Sequence, residues 1–368
     1  MNCKRIFVIL FLIFSLCKID AFAMSAQSAV LIDASTGRVL YSHNASEPRG
    51  MASTTKIMTA LVAIENGNLD DVVTVSKNAS YQEGTSMYLK AGEKVSLKEL
   101  LYGLLLSSGN DAAVAIAEHI NGTVDEFALL MTNRAREIGA MQTTFKNPNG
   151  LDAEDHQTTA LDLAKITRVA LQNPVFAEIV STKSITLERG TYTNHNKMLS
   201  MYDGATGVKT GFTKRCGRCL VSSAERNGFS LIAVTLNDPD DWNDHIQMFD
   251  NAYRDYQLTT PVTAGNEFGE VKVSDSESIK LLYKSNLHFY LTLEEQKRLE
   301  LINNAPTVLE TPIYKGQVVG STEAYLDGAL LGKCDLIADR DVLPQFVSVL
   351  SFKDNLRFTF LNWLNAFR

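Results

Sequence analysis

The chain has 368 residues, 45% of them hydrophobic and 21% charged, and a formal net charge of −7. This is globular rather than disordered composition, and the length allows about two domains. The acidic balance argues against nucleic-acid binding, and five Cys and six His are too few for a disulfide scaffold or a zinc-finger array.

Lys4 and Arg5 precede an apolar run from Ile6 to Cys17, and Ala21-Phe22-Ala23 supplies the small residues of a cut site. This is the layout of a secretory signal peptide over residues 1–23. The run is shorter than the roughly 20 residues that span a membrane, and Ser15-Leu16 before Cys17 is not a lipoprotein signal. An exported protein lacks ready ATP or NAD, so hydrolysis of external polymers is the expected chemistry. No cofactor and no metal is implied by any motif.

Ala29 to Asp33 and Arg38 to Ser42 are β-like runs joined by the turn residues Ala34-Ser-Thr-Gly37, a hairpin. Ser53 to Ile64 begins with a cap-type residue and stays apolar, which predicts a buried helix stopped near Asn66-Gly67. Further helices are predicted at 97–106, 111–120, 124–138 and 160–171. After Pro174 the pattern turns strand-like at 184–188, 207–209, 219–223 and 230–236, and a helix over 241–256 closes the region. The order predicts an α+β fold, an antiparallel sheet covered by helices, over residues 24–258. The composition shifts at Thr259-Thr260-Pro261, and short strand-like stretches predict a small β-rich domain over 262–342.

Residues 345–368 form a last segment. On a helical wheel Leu356, Phe360, Trp363, Leu364 and Phe367 share a face, Asn355, Thr359, Asn362 and Ala366 lie opposite, and Phe358 and Leu361 fall off the stripe. An apolar stripe usually packs on its own domain. Terminal position and Phe and Trp content favour a helix lying in a membrane surface. Of the remaining Cys, Cys216 and Cys219 spell C-x-x-C, but no second ligand pair accompanies them. Two unconnected thiols are expected, with a local disulfide as the alternative.

Three short motifs carry chemistry. Ser53-Thr54-Thr55-Lys56 places a hydroxyl and an amine three apart, on one face of a helix. Such an amine can take the serine proton only if burial or a second cation lowers its pKa. Ser108-Gly109-Asn110 reads, alone, as a helix cap and loop. Lys209-Thr210-Gly211 ends a strand-like run, where a sheet edge can pair with an extended peptide and Lys and Thr can hold a carboxylate. Each is weak alone; in this order they match the S-x-x-K, S-D-N and K-T-G set of penicillin-binding proteins and class A β-lactamases, with Gly109 in place of the Asp.

With these motifs the sequence resembles the serine-type D-alanyl-D-alanine carboxypeptidases, the low-molecular-mass penicillin-binding proteins. The stretches at 31–41, 51–60, 147–151, 159–164 and 207–213 are similar to that family, and the likeness covers about residues 26–256. The resemblance implies a penicillin-recognising α+β fold, a small β domain and a tail on the outer face of the cytoplasmic membrane. It implies that Ser53 is acylated, Lys56 is its base and Ser108 protonates the leaving D-alanine. Asn110 would orient the substrate amide, and Lys209 and Thr210 would receive the terminal carboxylate. Gly211 allows close approach, and Ser53 and Phe212 supply backbone N–H groups to the oxyanion. The implied partners are the peptidoglycan stem pentapeptide and β-lactams as covalent inhibitors. Some relatives place an Arg shortly before the K-T-G strand, where this sequence has His195.

Three alternatives have sequence tests. A β-lactamase needs a deacylating base, and Glu154 and Asp155 read only as loop acids. A metallo-carboxypeptidase needs clustered ligands, and Glu118-His119 lacks the H-E-x-x-H pattern. A non-catalytic cell-wall-binding protein has no reason to keep the reactive residues of all three motifs.

Overall fold

The computed structural model describes residues 24–274 and 277–344. The predicted signal peptide and the tail at 345–368 lie outside the described residues. The chain forms two compact units that divide between Arg254 and Asp255. The division precedes the compositional shift because residues 257–262 already pair within the second unit.

The first unit opens with the hairpin β1 (Ser28–Asp33) and β2 (Val39–His43). A 3-10 turn, Ala52–Thr55, leads into α1 (Lys56–Asn66). Ser53 therefore sits inside a tight turn three residues before the helix starts, and Thr55, not Ser53, is its cap. The first two turns of α1, Lys56 to Ala63, are buried on every side, Lys56 and Thr59 included. A small ribbon, β3 (Val72–Thr74) with β4 (Lys94–Ser96), escaped the sequence reading because three-residue strands show no usable period.

Next come α2 (Leu97–Leu105), α3 (Asn110–Asn121), α4 (Val124–Glu137) and α5 (Ala160–Leu171). Ser96, Thr123 and Thr159 each accept a backbone N–H at the start of α2, α4 and α5, which fixes those boundaries. A further helix, α6 (Pro174–Ser181), was not expected. Its signal was present: Asn173 caps it and Pro174 takes the first position, where a missing N–H costs nothing. The hairpin β5 (Ser184–Leu187) and β6 (Gly190–Thr193) follows. Then β7 (Ala205–Thr213), β8 (Gly217–Arg226), β9 (Phe229–Leu236) and α7 (Asp241–Asp255) complete the unit.

These strands form an antiparallel sheet in the order β2-β1-β9-β8-β7, with β7 at an edge. Helices α5 and α6 pack on it, and Val221, Ile232 and Val234 turn inward to the main core. Ser222 and Thr235, at alternate positions, bond the ring of His245 on α7, with 3.0 Å from Thr235 Oγ1 to His245 Nε2. Strand alternation therefore puts α7 on the opposite face of the sheet. This is the α+β layout the element order predicts.

The second unit is β-rich. It comprises β10 (Gln257–Val262), β11 (Glu267–Lys272), β12 (Ser278–Tyr283), β13 (Leu287–Leu291), α8 (Leu293–Arg298), β14 (Leu299–Asn304), β15 (Val318–Leu326) and β16 (Ala329–Ala338). One sheet runs β11-β12-β16-β15-β14, and β10 pairs with β13. Small apolar clusters around Leu281, Leu291 and Leu336 form its interior.

Candidate active site

The three motifs come from separate parts of the first unit and meet at the edge of its sheet. Ser53, Ser108, Thr210, Gly211 and Phe212 line one cleft of about 380 Å³. Thr85, His195, Lys197, Arg218, Asp241 and Trp242 complete its wall.

Lys56 is fully buried beneath this cleft. Its Nζ lies 3.0 Å from Ser53 Oγ, 2.7 Å from Asn110 Oδ1 and 2.6 Å from the Asn149 carbonyl oxygen. Two of these partners can only accept. Asn110 is oriented by its own Nδ2, which donates to the Glu83 carbonyl at 2.6 Å, so Oδ1 must face Lys56. A neutral amine satisfies the set with two N–H donors to the carbonyl oxygens and a lone pair toward the Ser53 hydroxyl. Burial drives the Lys56 pKa well below 10.5, and the nearby Lys209 charge lowers it further, against an opposing pull from Asp111. The site thus favours the uncharged amine that can accept a proton.

Lys209 is buried in β7, and its Nζ donates to the Thr210 carbonyl at 2.9 Å. Burial brings its pKa down to about 7. Gly211 runs close against the turn that carries Ser53. A Cβ there would lie 3.0 Å from the backbone nitrogens of Ser53 and Thr54, tighter than a side chain normally sits. Phe212 is 64% exposed at the cleft mouth. The Lys-Thr-Gly triplet lies in the middle of a long edge strand, not at the end of a short one.

Ser108 is buried and has φ +60, an unusual backbone for a non-glycine residue. Asn110 opens α3, and Gly109, not Ser108, is its cap. Asp111 follows one position after Asn110 on α3. Its carboxylate accepts from the backbone of Met87 at 2.9 Å and Leu89 at 3.0 Å and from Ser86 Oγ at 2.6 Å. It thereby ties the 86–89 segment to α3, while Gly109 leaves room: a Cβ would come within 2.9 Å of Asp111 Oδ1.

The sequence marks 147–151 as similar to the family but assigns none of its residues a role. In the structure this loop is part of the site. Asn149 supplies a carbonyl to Lys56, and the Pro148 carbonyl accepts from Thr59 Oγ1 at 2.6 Å. Gly150 has φ +86, and a Cβ there would fall 2.0 Å from the Ala52 carbonyl. His156 closes the loop: its Nδ1 accepts the Lys146 N–H at 3.0 Å, and Nε2 meets Thr55 Oγ1 at 2.8 Å. Burial lowers its pKa to about 4. A backbone carbonyl has no residue signature, so no motif could have announced Asn149.

Cys216, Cys219 and Cys334 are free thiols. Cys216 Sγ contacts Asp152 Oδ1 at 3.2 Å and Cys219 Sγ approaches the Gly50 carbonyl at 3.9 Å. Glu154 and Asp155 are exposed loop acids. Among the described residues, no group of three His, Cys, Asp or Glu side chains is placed to hold a metal ion.

Residues 17–240 match the family model described as D-alanyl-D-alanine carboxypeptidase, and residues 256–343 match the C-terminal domain of penicillin-binding protein 5. The chain belongs to the D-alanyl-D-alanine carboxypeptidase family. The carboxypeptidase is 34% identical over 344 residues to DacF of Bacillus subtilis, covering 87% of this chain and 86% of that one. It is 30% identical to DacA of Haemophilus influenzae over 338 residues, 87% of this chain and 86% of the relative. The crystal structure of penicillin-binding protein 5 from Haemophilus influenzae superposes with a TM-score of 0.71 at 28% identity, over 88% of this chain and 98% of that one. These likenesses make the carboxypeptidase a serine-type hydrolase and set aside the metallo-enzyme, β-lactamase and non-catalytic readings.

Proposed function

We propose that this carboxypeptidase removes the terminal D-alanine from peptidoglycan pentapeptides through an acyl-enzyme on Ser53, and that β-lactams acylate the same oxygen. The observation that carries the reading is the three-partner setting of Lys56 Nζ, whose remaining valence faces Ser53 Oγ at 3.0 Å.

The neutral Lys56 amine takes the Ser53 proton as Oγ attacks the carbonyl carbon of the penultimate D-alanine. Negative charge builds on the carbonyl oxygen between the N–H groups of Ser53 and Phe212, which the close packing of Gly211 on the serine turn supports. The C–N bond then breaks, and the proton reaches the leaving amine through Ser108. Water attacks the ester, and Lys56 again accepts and returns a proton. Asn110 orients the substrate amide, and Lys209 with Thr210 receives the carboxylate at the edge of β7, where the open strand pairs with the peptide. In a β-lactam the broken amide is part of a ring, so the leaving group stays tethered and obstructs water.

We place the protein outside the cytoplasm, on the outer face of the cytoplasmic membrane, with residues 1–23 as its export signal and 345–368 as its membrane-associating tail. The support is the charge and apolar patterning of those segments. Among the described residues no helix is long and apolar enough to cross a membrane.

The purified protein, incubated with a stem pentapeptide ending in D-Ala-D-Ala, releases one equivalent of D-alanine. A peptide left intact after prolonged incubation with folded protein sinks the substrate assignment.

A further inference from the structure

The first described residues of the chain meet a buried acidic pair. Asp238, in the turn after β9, is 0% exposed, and Asp244, in the first turn of α7, is 3% exposed. Ser25 ties the two together. Its Oγ lies 2.6 Å from Asp238 Oδ1 and 2.9 Å from Asp244 Oδ2. The backbone N–H groups of Ser25, at 2.8 Å, and Ala26, at 3.3 Å, donate to the same Asp244 oxygen. A hydroxyl has one proton to give. It serves one carboxylate, and the second short contact calls for a proton or a positive charge that these side chains do not supply.

Asp238 Oδ1 also accepts the Asp240 N–H at 3.1 Å, but Oδ2 is buried without a hydrogen-bond partner. A carboxylate oxygen left bare away from water is costly. Burial and the Asp244 charge push the Asp238 carboxyl up to about 6, against the pull of the Ser25 hydroxyl. The surroundings do not balance the charge. Arg218 of β8 is paired with Asp241 at 2.6 Å. The His245 ring is spent on Ser222 and Thr235 and kept neutral by burial. Tyr41 of β2 is held neutral by burial and by the Asp244 charge. Asp240 adds a further, exposed acid. Among the described residues neither Asp238 nor Asp244 has an ion-pair partner.

Met24 is placed to supply the missing charge. Its nitrogen is three bonds from that of Ser25, so the two lie within about 4 Å of each other, and Met24 N within about 7 Å of Asp244 Oδ2. In the uncut chain that nitrogen is an amide. Hydrolysis of the Ala23–Met24 bond by a signal peptidase adds water across C–N. The departing peptide keeps a carboxylate, and Met24 keeps an amine that is an ammonium below an ordinary pKa of about 7.7–8.0.

We infer that Asp238 and Asp244 form a receptor for the chain's own processed N-terminus, and that the α-ammonium made by cleavage after Ala23 docks beside them. This deepens, and rests on, the reading of residues 1–23 as an export signal. The two carboxylates are buried whether or not the chain is cut, so supplying their partner stabilises the fold. The docked ammonium fastens the segment before β1 to α7, and β1 is paired on both sides, with β2 and β9. Removal of the export signal therefore tightens the catalytic unit. The amine's folded pKa is raised, so its contribution is complete below about 7.8 and lost as the pH rises through the raised value. The advantage over a blocked chain also shrinks below about pH 6, where Asp238 takes up a proton instead.

The test compares two chains that are wild type from Met24 to Arg368. One begins at Met24; the other carries Gly-Ser ahead of it, which makes the Met24 nitrogen an amide. In the first, the α-amine is followed by NMR after 13C-dimethylation, and it titrates about one unit above its ordinary value. In Asp238→Asn it returns toward that value. The chain that begins at Met24 melts about 3 °C above the extended one at pH 7. The gap narrows at pH 5 and at pH 10, which a steric effect of the extension does not produce. An amine that titrates at 7.7–8.0, or a melting gap that is absent or equal at all three pH values, overturns the inference, and neither reading depends on the variant folding. Failure of the export reading looks different: N-terminal sequencing of the exported protein would begin at a residue other than Met24, whatever the amine's pKa.

Discussion

A lysine is an unlikely base in water, where its amine is protonated until pH 10.5 or so. Here two such amines are buried within one site, burial lowers the pKa of both, and the Lys209 charge makes Lys56 harder still to charge. That arrangement stores a stability cost with a definite pH signature. Lys209 titrates near 10.5 unfolded and about 7 folded. Between those values the unfolded chain holds a proton that the native protein does not, so stability rises with pH across the window. Below pH 7 both states are protonated and the whole penalty is present. Replacing Lys209 by Met removes that penalty while keeping the volume. Lys209→Met is expected to be more stable than wild type at pH 6.5, by as much as roughly 4 kcal/mol, and to gain less between pH 6.5 and 9.5. Part of the slope remains because Lys56 titrates low for the same reason. The variant is also expected to be acylated by penicillin more slowly, since Lys56 loses the smaller of the two influences that lower its pKa while its burial remains. Urea unfolding at the two pH values decides the matter; a variant no more stable at pH 6.5, with an unchanged slope, contradicts the argument.

At the scale of elements, what was legible depended on whether the signal was periodic. The long helices α2, α4 and α5 were readable to within a residue or two, because cap residues and apolar spacing agree there. The sequence pattern shows only 207–209 of β7 as strand, whereas the strand has nine residues; its middle contains Lys209 and Thr210, whose polarity hides a strand. Helix α6 is hard to see in the sequence because Pro174 reads as a boundary, whereas it starts the helix. In the site, side-chain chemistry was visible in the motifs: Ser53, Lys56, Asn110 and Lys209 are all found around one cleft or directly beneath it. Groups supplied by shape were not. The Asn149 carbonyl and the close approach of Gly150 to Ala52 depend on tertiary contacts. A spacing rule along the chain does not encode them.

For the whole molecule, the two units have distinct interiors, one built on helices against a five-stranded sheet and one nearly all strand. Each of the reacting groups proposed here lies in the first unit, before Arg254. The second unit precedes the tail whose Leu356, Phe360, Trp363, Leu364 and Phe367 would enter the lipid boundary. Deleting residues 345–368 is therefore expected to move the protein from the membrane fraction to the soluble fraction, with kcat/KM on a short peptide in solution changed less than about twofold. Retention of the shortened chain on membranes contradicts the tail assignment.

The most direct test is the intact mass of the protein after brief exposure to benzylpenicillin, followed by mapping of the modified peptide. The account predicts one adduct, on Ser53, that is absent from Lys56→Ala under the same conditions. An adduct on another residue, or equal labelling of the Lys56 variant, contradicts it.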